Sequence, residues 1–268
     1  ESLKIPGDFR HWREHRDESN VLWLYFDKED SSTNTLDASV LEEFSGILDS
    51  MTSDAPRALV IRSLKVKGFC AGADIQIGFP EIQLGLHPGL GGTFRLTELI
   101  NPLAAMTMML TGRSVHKKKA LKSGLVDVLV EERHLASAVS AAVDGKIARR
   151  RQSITEKILG SAPLRHIAAR RMRAQAEQQA PTAHYPAPSA LIDLWLKHGG
   201  SRGAMQKAEI KSFARLIESD TSRNLVRVFF LREALKRVAS SENLIKHVHV
   251  IGAGAMGGDI AAWCALQG

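Results

Sequence analysis

The chain has 268 residues, 44% of them hydrophobic and 24% charged, which indicates a globular protein with one large domain or a domain plus an appendage. No apolar run of about 18 residues occurs, so no transmembrane helix is predicted. Residues 1–17 lack the apolar centre of a signal peptide. Cys70 and Cys264 are far apart, with no spacing partner for zinc or a disulfide framework. A reducing compartment is expected.

The net charge of +7 is concentrated between residues 146 and 173, where Arg149–Arg151 and Arg170–Arg171 are the densest points. Such a segment is typical of a solvated helical face, and a phosphate-bearing ligand or an acidic lipid surface are the alternatives. No aromatic residues interleave with these charges, so nucleic acid is not a predicted partner.

The first sixty residues predict a strand, a helix and a strand. Val21–Phe26 is an apolar run of strand length, residues 36–51 have apolar residues at helical spacing behind Asp37 as N-cap, and Ala58–Ser63 is the next strand. This order favours an α/β sheet with crossover helices.

The rest of the chain is mostly helical in pattern. Helices are predicted at Pro102–Leu110, Val115–Ser123, Leu135–Ile147, within residues 152–180, and at Leu191–Lys197, Arg202–Glu218 and Ser222–Val238. Strands are predicted at Leu125–Val130 and Val248–Ile251. Pro186 and Pro188 interrupt the helical pattern and mark a candidate module boundary.

The stretch Gly68–Thr93 is rich in glycine and follows a predicted strand, where open α/β sheets place their ligands. The small residues Ala71–Asp74 leave a backbone amide open to an oxyanion. Glu81 lies on a proline- and glycine-bounded turn beside apolar residues, and partial burial suits a carboxylate for acid or base work. The alternatives are a solvated Glu81, and His87 as the base, although a histidine before proline is more often structural.

Several motifs in this order resemble the crotonase (enoyl-CoA hydratase/isomerase) family. They are Gly68–Ile75, Phe79–Gly85, Pro88–Thr93, Leu110–Arg113 and Gly124–Asp127. The resemblance implies an α/β fold of the crotonase type, a ββα superhelix, and coenzyme A as part of the substrate. It also implies an oxyanion-binding amide at Ala73, and a proton donor to the α-carbon at Glu81. The implied contacts with coenzyme A are Ala71, Gly72, Asp74 and Ile75.

Half of the implied site is missing from the sequence. Family members carry several dozen residues between the motif that ends here at Ile75 and the motif that begins here at Phe79. Those residues include a second oxyanion amide and a glutamate that activates water. Here Ile75 is followed directly by Gln76. Either the sequence omits residues that the polypeptide has, or a true deletion abolishes hydration. Omission is favoured, since deletion of a strand and a helix would uncover apolar surface.

A second glycine motif begins at Gly252, with Gly254, Met256 and Gly257, between an apolar run and a helical pattern. With the preceding helices it resembles the start of a 3-hydroxyacyl-CoA dehydrogenase, which implies NAD as cofactor. The acidic ribose-binding residue expected about 20 residues on is absent. His247 and His249 are interpreted as strand residues, so no metal is predicted.

Together the motifs resemble multifunctional fatty acid β-oxidation enzymes. The implied domains are a crotonase domain at residues 1–180, an all-α linker at 181–245 and the first βα unit of a Rossmann domain at 246–268. The implied function is hydration of trans-2-enoyl-CoA, with NAD-dependent oxidation in the complete polypeptide. A Δ3,Δ2-enoyl-CoA isomerase and a non-catalytic acyl-CoA-binding or scaffold module are the alternatives. The resemblance further implies a thiolase subunit as partner and an oligomeric protein. The expected location is a bacterial cytoplasm, with mitochondria as the alternative.

Overall fold

The N-terminal part of the chain is a small sheet with one crossover helix. The computed structural model describes residues 9–31, 34, 36–65, 76–239, 247–252 and 254–267. Strand β1 (Trp12–Arg16) pairs antiparallel with β2 (Val21–Phe26), and β2 pairs parallel with β3 (Ala58–Ser63). Helix α1 (Ala38–Ser50) connects β2 to β3. The predicted strand, helix and strand are confirmed.

Helix α1 begins where its cap was predicted, because the Asp37 side chain accepts a hydrogen bond from the Val40 amide at 3.1 Å. Val40 and Ile47 are buried against Trp12, Leu24 and Phe26 of the sheet in a first core. The predicted apolar face is wider than the buried stripe, since Leu41 and Leu48 of the same helix are exposed.

The remaining described elements are mostly helices. Strands β4 (Gln76–Ile77) and β5 (Val115–His116) form a separate antiparallel pair. The helices are α2 (Gly92–Leu99), α3 (Pro102–Thr111), α4 (Lys117–Ser123), α5 (Leu135–Val143), α6 (Ile154–Leu159), α7 (Ala162–Gln179), α8 (Pro186–His198), α9 (Arg202–Ile217), α10 (Asp220–Ala239) and α11 (Ala255–Gln267). Short 3-10 helices span Pro80–Leu84 and Glu132–His134.

A second core joins helices from both sides of residue 180. Met106 and Met109 of α3 are fully buried with Trp195 of α8 and Met205 of α9. Methionine suits such packing because its flexible side chain fills irregular gaps in a core. Helices α8 and α9, which fall in the predicted linker, therefore complete the same core as α2 and α3, and the domain boundary near residue 180 stays a prediction.

Several sequence-based elements were wrong in detail. Leu125–Val130 is not a strand: Val128 and Val130 are exposed, and an apolar run without a neighbouring strand has no ladder to join. The predicted helix at residues 115–123 starts as strand β5. The helix from Leu135 ends at Val143, ahead of Gly145 with its φ of 69°.

The C-terminal apolar run differs from expectation, whereas the two prolines lie where the helical pattern is interrupted. Val248–Ile251 has no strand hydrogen bonding in the described structure, and Ile251 is fully exposed. The predicted interruption of the helical pattern is confirmed, since α7 ends at Gln179 and α8 begins at Pro186. Pro186 and Pro188 lie in the first turn of α8, where the missing N–H of proline has no intrahelical acceptor in any case.

Candidate active site

Glu81 lies on the 3-10 helix Pro80–Leu84, a turn fixed by its two ends. Pro80 occupies the first position, and the turn ends at Gly85 in the left-handed conformation with φ 72°. A Cβ on Gly85 would meet the backbone of Ser222 and the side chain of Leu225 in α10 at 3.3 Å. Glycine is required there by both conformation and space, so the sequence holds Glu81 on a rigid support.

The carboxylate of Glu81 has the character expected of a functional group. The residue is half-buried, and its Oε2 atom is buried without a hydrogen-bond partner among the described residues. Buried carboxylate oxygens are normally hydrogen-bonded, because an unpaired one loses its hydration with no compensation. Glu81 is therefore not the solvated surface residue that was its alternative interpretation, and Oε2 is a buried acceptor that the described residues leave unpaired.

His87, the other candidate base, has both ring nitrogens engaged. The side chain is fully buried; Nδ1 lies 2.8 Å from the Pro88 carbonyl oxygen and Nε2 lies 3.0 Å from Ser212 Oγ. Burial lowers the pKa of His87 below its ordinary value of 6.5. These contacts favour the structural interpretation, in which a neutral imidazole joins the glycine-rich loop to α9.

Glu209 is a buried residue that the sequence analysis missed. Its Oε1 accepts a hydrogen bond from the Gly91 amide at 2.7 Å, and its Oε2 accepts from the Thr93 amide at 3.3 Å and from the Thr93 hydroxyl. One sequence pattern could have revealed it, because Met205, Glu209 and Ser212 fall at helical spacing on the buried face of α9. A glutamate on such a stripe needs donors, and the start of α2 provides them.

Two cavities lie near this region. One of about 280 Å³ lies between the Glu81 turn and helices α3 and α7, with Ile82, Gln83, Thr111 and Tyr185 in its wall. A wider one of about 490 Å³ lies between α8 and α9. Glu81 lines neither of these two cavities.

The predicted oxyanion donor and coenzyme A contacts lie outside the described part of the chain, namely Ala73, Ala71, Gly72, Asp74 and Ile75. The structure places His87 in the same segment as Glu81 and binds Glu209 to the end of that segment, and the partnership of Glu81 with Ala73 stays a prediction.

The second glycine motif forms its turn at the start of α11. Gly252 has a φ of 109°, and a Cβ on Gly257 would clash with the Gly252 carbonyl oxygen. A Cβ on Gly254 would meet none of the described residues, and Met256 lies in the first turn of α11. Glycine is thus required at two motif positions, as in a turn that presents the amides of a helix start to a phosphate.

The basic segment is partly neutralised by ion pairs. Arg150 contacts Glu156 at 2.7 Å, Arg149 lies 3.5 Å from Asp127, and Arg173 pairs with Asp193. These contacts favour the interpretation of a solvated helical face. In the described ranges no His, Cys, Asp and Glu side chains form a group of three that could hold a metal. None of the helices described is both long and apolar enough to span a membrane.

Structural comparison identifies the fold. The chain resembles a carnitinyl-CoA dehydratase from Mycobacterium thermoresistibile, with a TM-score of 0.58 and 14% identity over 88% of this chain and 94% of the other. A carnitinyl-CoA hydratase from Mycobacterium avium gives a TM-score of 0.54 and 19% identity, over 83% and 96% of the two chains. The fold is that of the crotonases, as predicted.

Sequence comparison relates one segment of the chain to a particular family. Residues 76–184 match the enoyl-CoA hydratase/isomerase family, which confirms the predicted resemblance for this part of the chain. The fatty acid oxidation complex subunit alpha of Vibrio parahaemolyticus is 28% identical over 316 residues, covering 91% of this chain and 45% of the relative. That of Shewanella baltica is 36% identical over 196 residues, covering 69% of this chain and 28% of the relative.

The lengths of these alignments carry further information. The chain spans less than half the length of the curated relatives it matches. The Vibrio alignment, at 316 residues, is longer than the 268 residues of this chain, so the relative contains residues with no counterpart here. The family match begins at Gln76, directly after the position where the sequence analysis expects a missing segment.

Proposed function

We propose that the chain carries the enoyl-CoA hydratase site of a fatty acid β-oxidation enzyme, which adds water to trans-2-enoyl-CoA to form 3-hydroxyacyl-CoA. One observation carries the proposal: within the segment that matches the family, Glu81 lies on a rigid turn with a buried carboxylate oxygen that has no partner among the described residues. That oxygen suits a group that must hold and release a proton.

In the proposed reaction the oxygen of water bonds to the β-carbon, and the thioester becomes an enolate. The enolate oxygen is stabilised by backbone amides, of which Ala73 supplies one, and each such donor is worth about 3 kcal/mol. Protonated Glu81 then gives its proton to the α-carbon. A base takes the proton released by the water, and thereby balances the addition. Ala71, Gly72, Asp74 and Ile75 bind the coenzyme A part of the substrate.

The base and the second oxyanion amide belong, in our proposal, to a segment of the complete polypeptide between Ile75 and Gln76. Two observations support this. The Vibrio relative contains residues with no counterpart here. Leu41 and Leu48 of α1 are exposed on the predicted apolar face, as expected where covering elements are absent.

We further propose that the complete polypeptide continues as an NAD-dependent 3-hydroxyacyl-CoA dehydrogenase. Gly252 with its positive φ and Gly257 with no room for a Cβ fit a dinucleotide-binding turn, and the amides at Met256 and Gly257 would face the pyrophosphate. When bound, NAD would accept hydride from the 3-hydroxyacyl product. A thiolase subunit, which would consume the oxidised product, is the proposed partner in an oligomer.

Two other functions remain as alternatives. A single glutamate such as Glu81 suits a Δ3,Δ2-enoyl-CoA isomerase, because one carboxyl group can move a proton between two carbons. A non-catalytic acyl-CoA-binding or scaffold module is the second alternative. The orphaned oxygen of Glu81 favours both enzyme functions over the scaffold.

The test measures turnover of trans-2-enoyl-CoA and of 3-enoyl-CoA by the purified complete polypeptide and by its Glu81→Gln variant. We expect hydration of the 2-enoyl substrate and a loss on the order of 100-fold or more in kcat for Glu81→Gln. Glu218→Gln, an exposed carboxylate at the end of α9, is the control and should retain full activity. Isomerisation without hydration would support the isomerase instead. Coenzyme A thioester binding with no turnover affected by Glu81→Gln would support the scaffold.

A further inference from the structure

The segment that carries Glu81, residues 80–93, depends on other elements for its shape. After the 3-10 helix it passes through Gly85 and Gly91, both in the left-handed conformation, before α2 begins at Gly92. Its own backbone supplies only short-range turn hydrogen bonds, such as Gly92 to the Gly89 carbonyl at 2.9 Å. Glycine-rich backbone is conformationally permissive, so external contacts must select one conformation.

Three side chains from the later helices supply such contacts, and we call them the anchor residues: Tyr185, Ser212 and Glu209. The Tyr185 hydroxyl donates to the Ile82 carbonyl, one residue from Glu81. Ser212 contacts His87 in the middle of the segment, and Glu209 binds Gly91 and Thr93 at its end. All three lie after residue 184, outside the part of the chain that matches the family.

The contact between Ser212 and His87 has a defined hydrogen-bond direction. The Pro88 carbonyl can only accept, so Nδ1 of His87 carries the proton that it donates over 2.8 Å. A neutral imidazole then accepts at Nε2 from the Ser212 hydroxyl at 3.0 Å. Both side chains are buried, and Phe213 packs edge-on against the imidazole ring at 5.9 Å between centroids. These hydrogen bonds therefore fix the orientation of the His87 ring in the middle of the segment.

Glu209 makes the strongest of these contacts. Its side chain is 2% exposed, and no cation pairs with it among the described residues. The carboxylate is satisfied instead by two backbone amides and one hydroxyl at the N-terminus of α2, where the helix dipole also favours a negative charge. Charge-assisted hydrogen bonds to main-chain amides fix the backbone itself, so Glu209 determines the path of the chain at Gly91.

We propose that Glu209 is a positioning residue, which with Tyr185 and Ser212 holds the Glu81 carboxylate in the place that catalysis requires. The inference rests on the proposed function of Glu81. Because the anchors come from α9 and from the start of α8, the acid is placed by helices that the family match does not include. These helices are therefore part of the active-site support as well as of the core.

The experiment measures kcat and KM for trans-2-enoyl-CoA hydration in Glu209→Gln and Ser212→Ala, beside Glu218→Gln as the exposed control on the same helix. The glutamine side chain of the Glu209→Gln variant has nearly the same shape, but it turns one acceptor into an amide donor facing the Thr93 amide. We expect kcat to fall by about 10- to 100-fold with KM changed less than about twofold, since misplacement of a catalytic group by about 1 Å has this effect. Thermal unfolding establishes that each variant is folded at the assay temperature.

A folded Glu209→Gln protein with wild-type kcat would overturn the inference. If Glu209→Gln does not fold, Ser212→Ala decides the matter on its own, since it removes a single hydroxyl: a reduced kcat with unchanged KM supports positioning, and wild-type kcat contradicts it. Failure of the proposed function gives a different result. In that case Glu81→Gln itself leaves hydration unchanged, whatever the anchor variants do.

Discussion

The two glycine-rich turns of the molecule differ in what surrounds them. In the Glu81 turn, a Cβ on Gly85 would meet α10 at 3.3 Å, and a Cβ on Gly89 would meet Phe213 at 3.4 Å. Around the Gly252 turn, a Cβ on Gly254 or Gly258 would meet no atom of the described residues within 4 Å, whereas a Cβ on Gly257 would clash with the turn itself. A glycine motif thus forms its local bend from its own residues, but it becomes a rigid support only when other elements pack against it.

The largest expected difference between the two regions is the loss of stability when a tryptophan in each is replaced by alanine. Trp195 of α8 is 1% exposed in the second core, against which Phe79 at the start of the Glu81 turn packs, whereas Trp263 of α11 is 65% exposed. We expect Trp195→Ala to lower the free energy of unfolding by about 3–5 kcal/mol and Trp263→Ala to change it by less than about 0.5 kcal/mol. Urea unfolding followed by circular dichroism measures both. Equal losses would show that α11 is packed as firmly as α8.

A smaller difference in stability is expected when one glycine of each turn is replaced by alanine. Gly85→Ala forces a side chain into the left-handed conformation, at a cost of about 1–2 kcal/mol, and adds a contact at 3.3 Å with the backbone of α10. A Cβ on Gly254 would meet no atom of the described residues within 4 Å, so Gly254→Ala serves as the matched control and should leave stability unchanged. The urea midpoints of the two variants give the comparison. An unchanged midpoint for Gly85→Ala would mean that the Glu81 turn is not rigid.

The smallest expected effect is the pH dependence of stability that arises from His87. Burial lowers the pKa of His87 in the folded protein, while the charge of Glu209 acts in the opposite direction. The unfolded chain protonates this histidine at a pH of about 6.5. As the pH falls below that value, the unfolded state gains a proton that folded His87 does not take, so stability decreases until the folded pKa is reached.

This pH dependence is measured by urea unfolding between pH 7.5 and 5. In His87→Gln the decrease below pH 6.5 should become shallower, while His116→Gln, at an exposed position, should keep the wild-type slope. An unchanged slope in His87→Gln would show that the imidazole is protonated in the folded state.

Much of the local structure could be predicted from the sequence because it depends on local signals. Asp37 marks the start of α1, and the apolar runs Val21–Phe26 and Ala58–Ser63 form the central and third strands. Leu125–Val130 has a similar composition but forms no strand, because a strand exists only where a neighbouring backbone supplies its hydrogen bonds. Such partnerships join residues distant in sequence, and composition does not encode them.

In the candidate site, too, features that depend on neighbouring residues could be predicted, and contacts between distant residues could not. Glu81 could be recognised from its proline, its glycine and its apolar neighbours, all within a few residues. Glu209 lies 118 residues from Gly91, and only the fold brings the two together. The sequence therefore predicts which group carries the chemistry, and the structure adds which groups hold it in place.

The most direct test of the central claim is to carry out the hydration of trans-2-enoyl-CoA in D₂O and to follow the α-carbon of the product by NMR. The account predicts that wild-type protein adds one deuterium at the α-carbon in each turnover, and that Glu81→Gln loses this activity on the order of 100-fold or more while still binding the thioester. A Glu81→Gln protein that deuterates the α-carbon at the wild-type rate would contradict it.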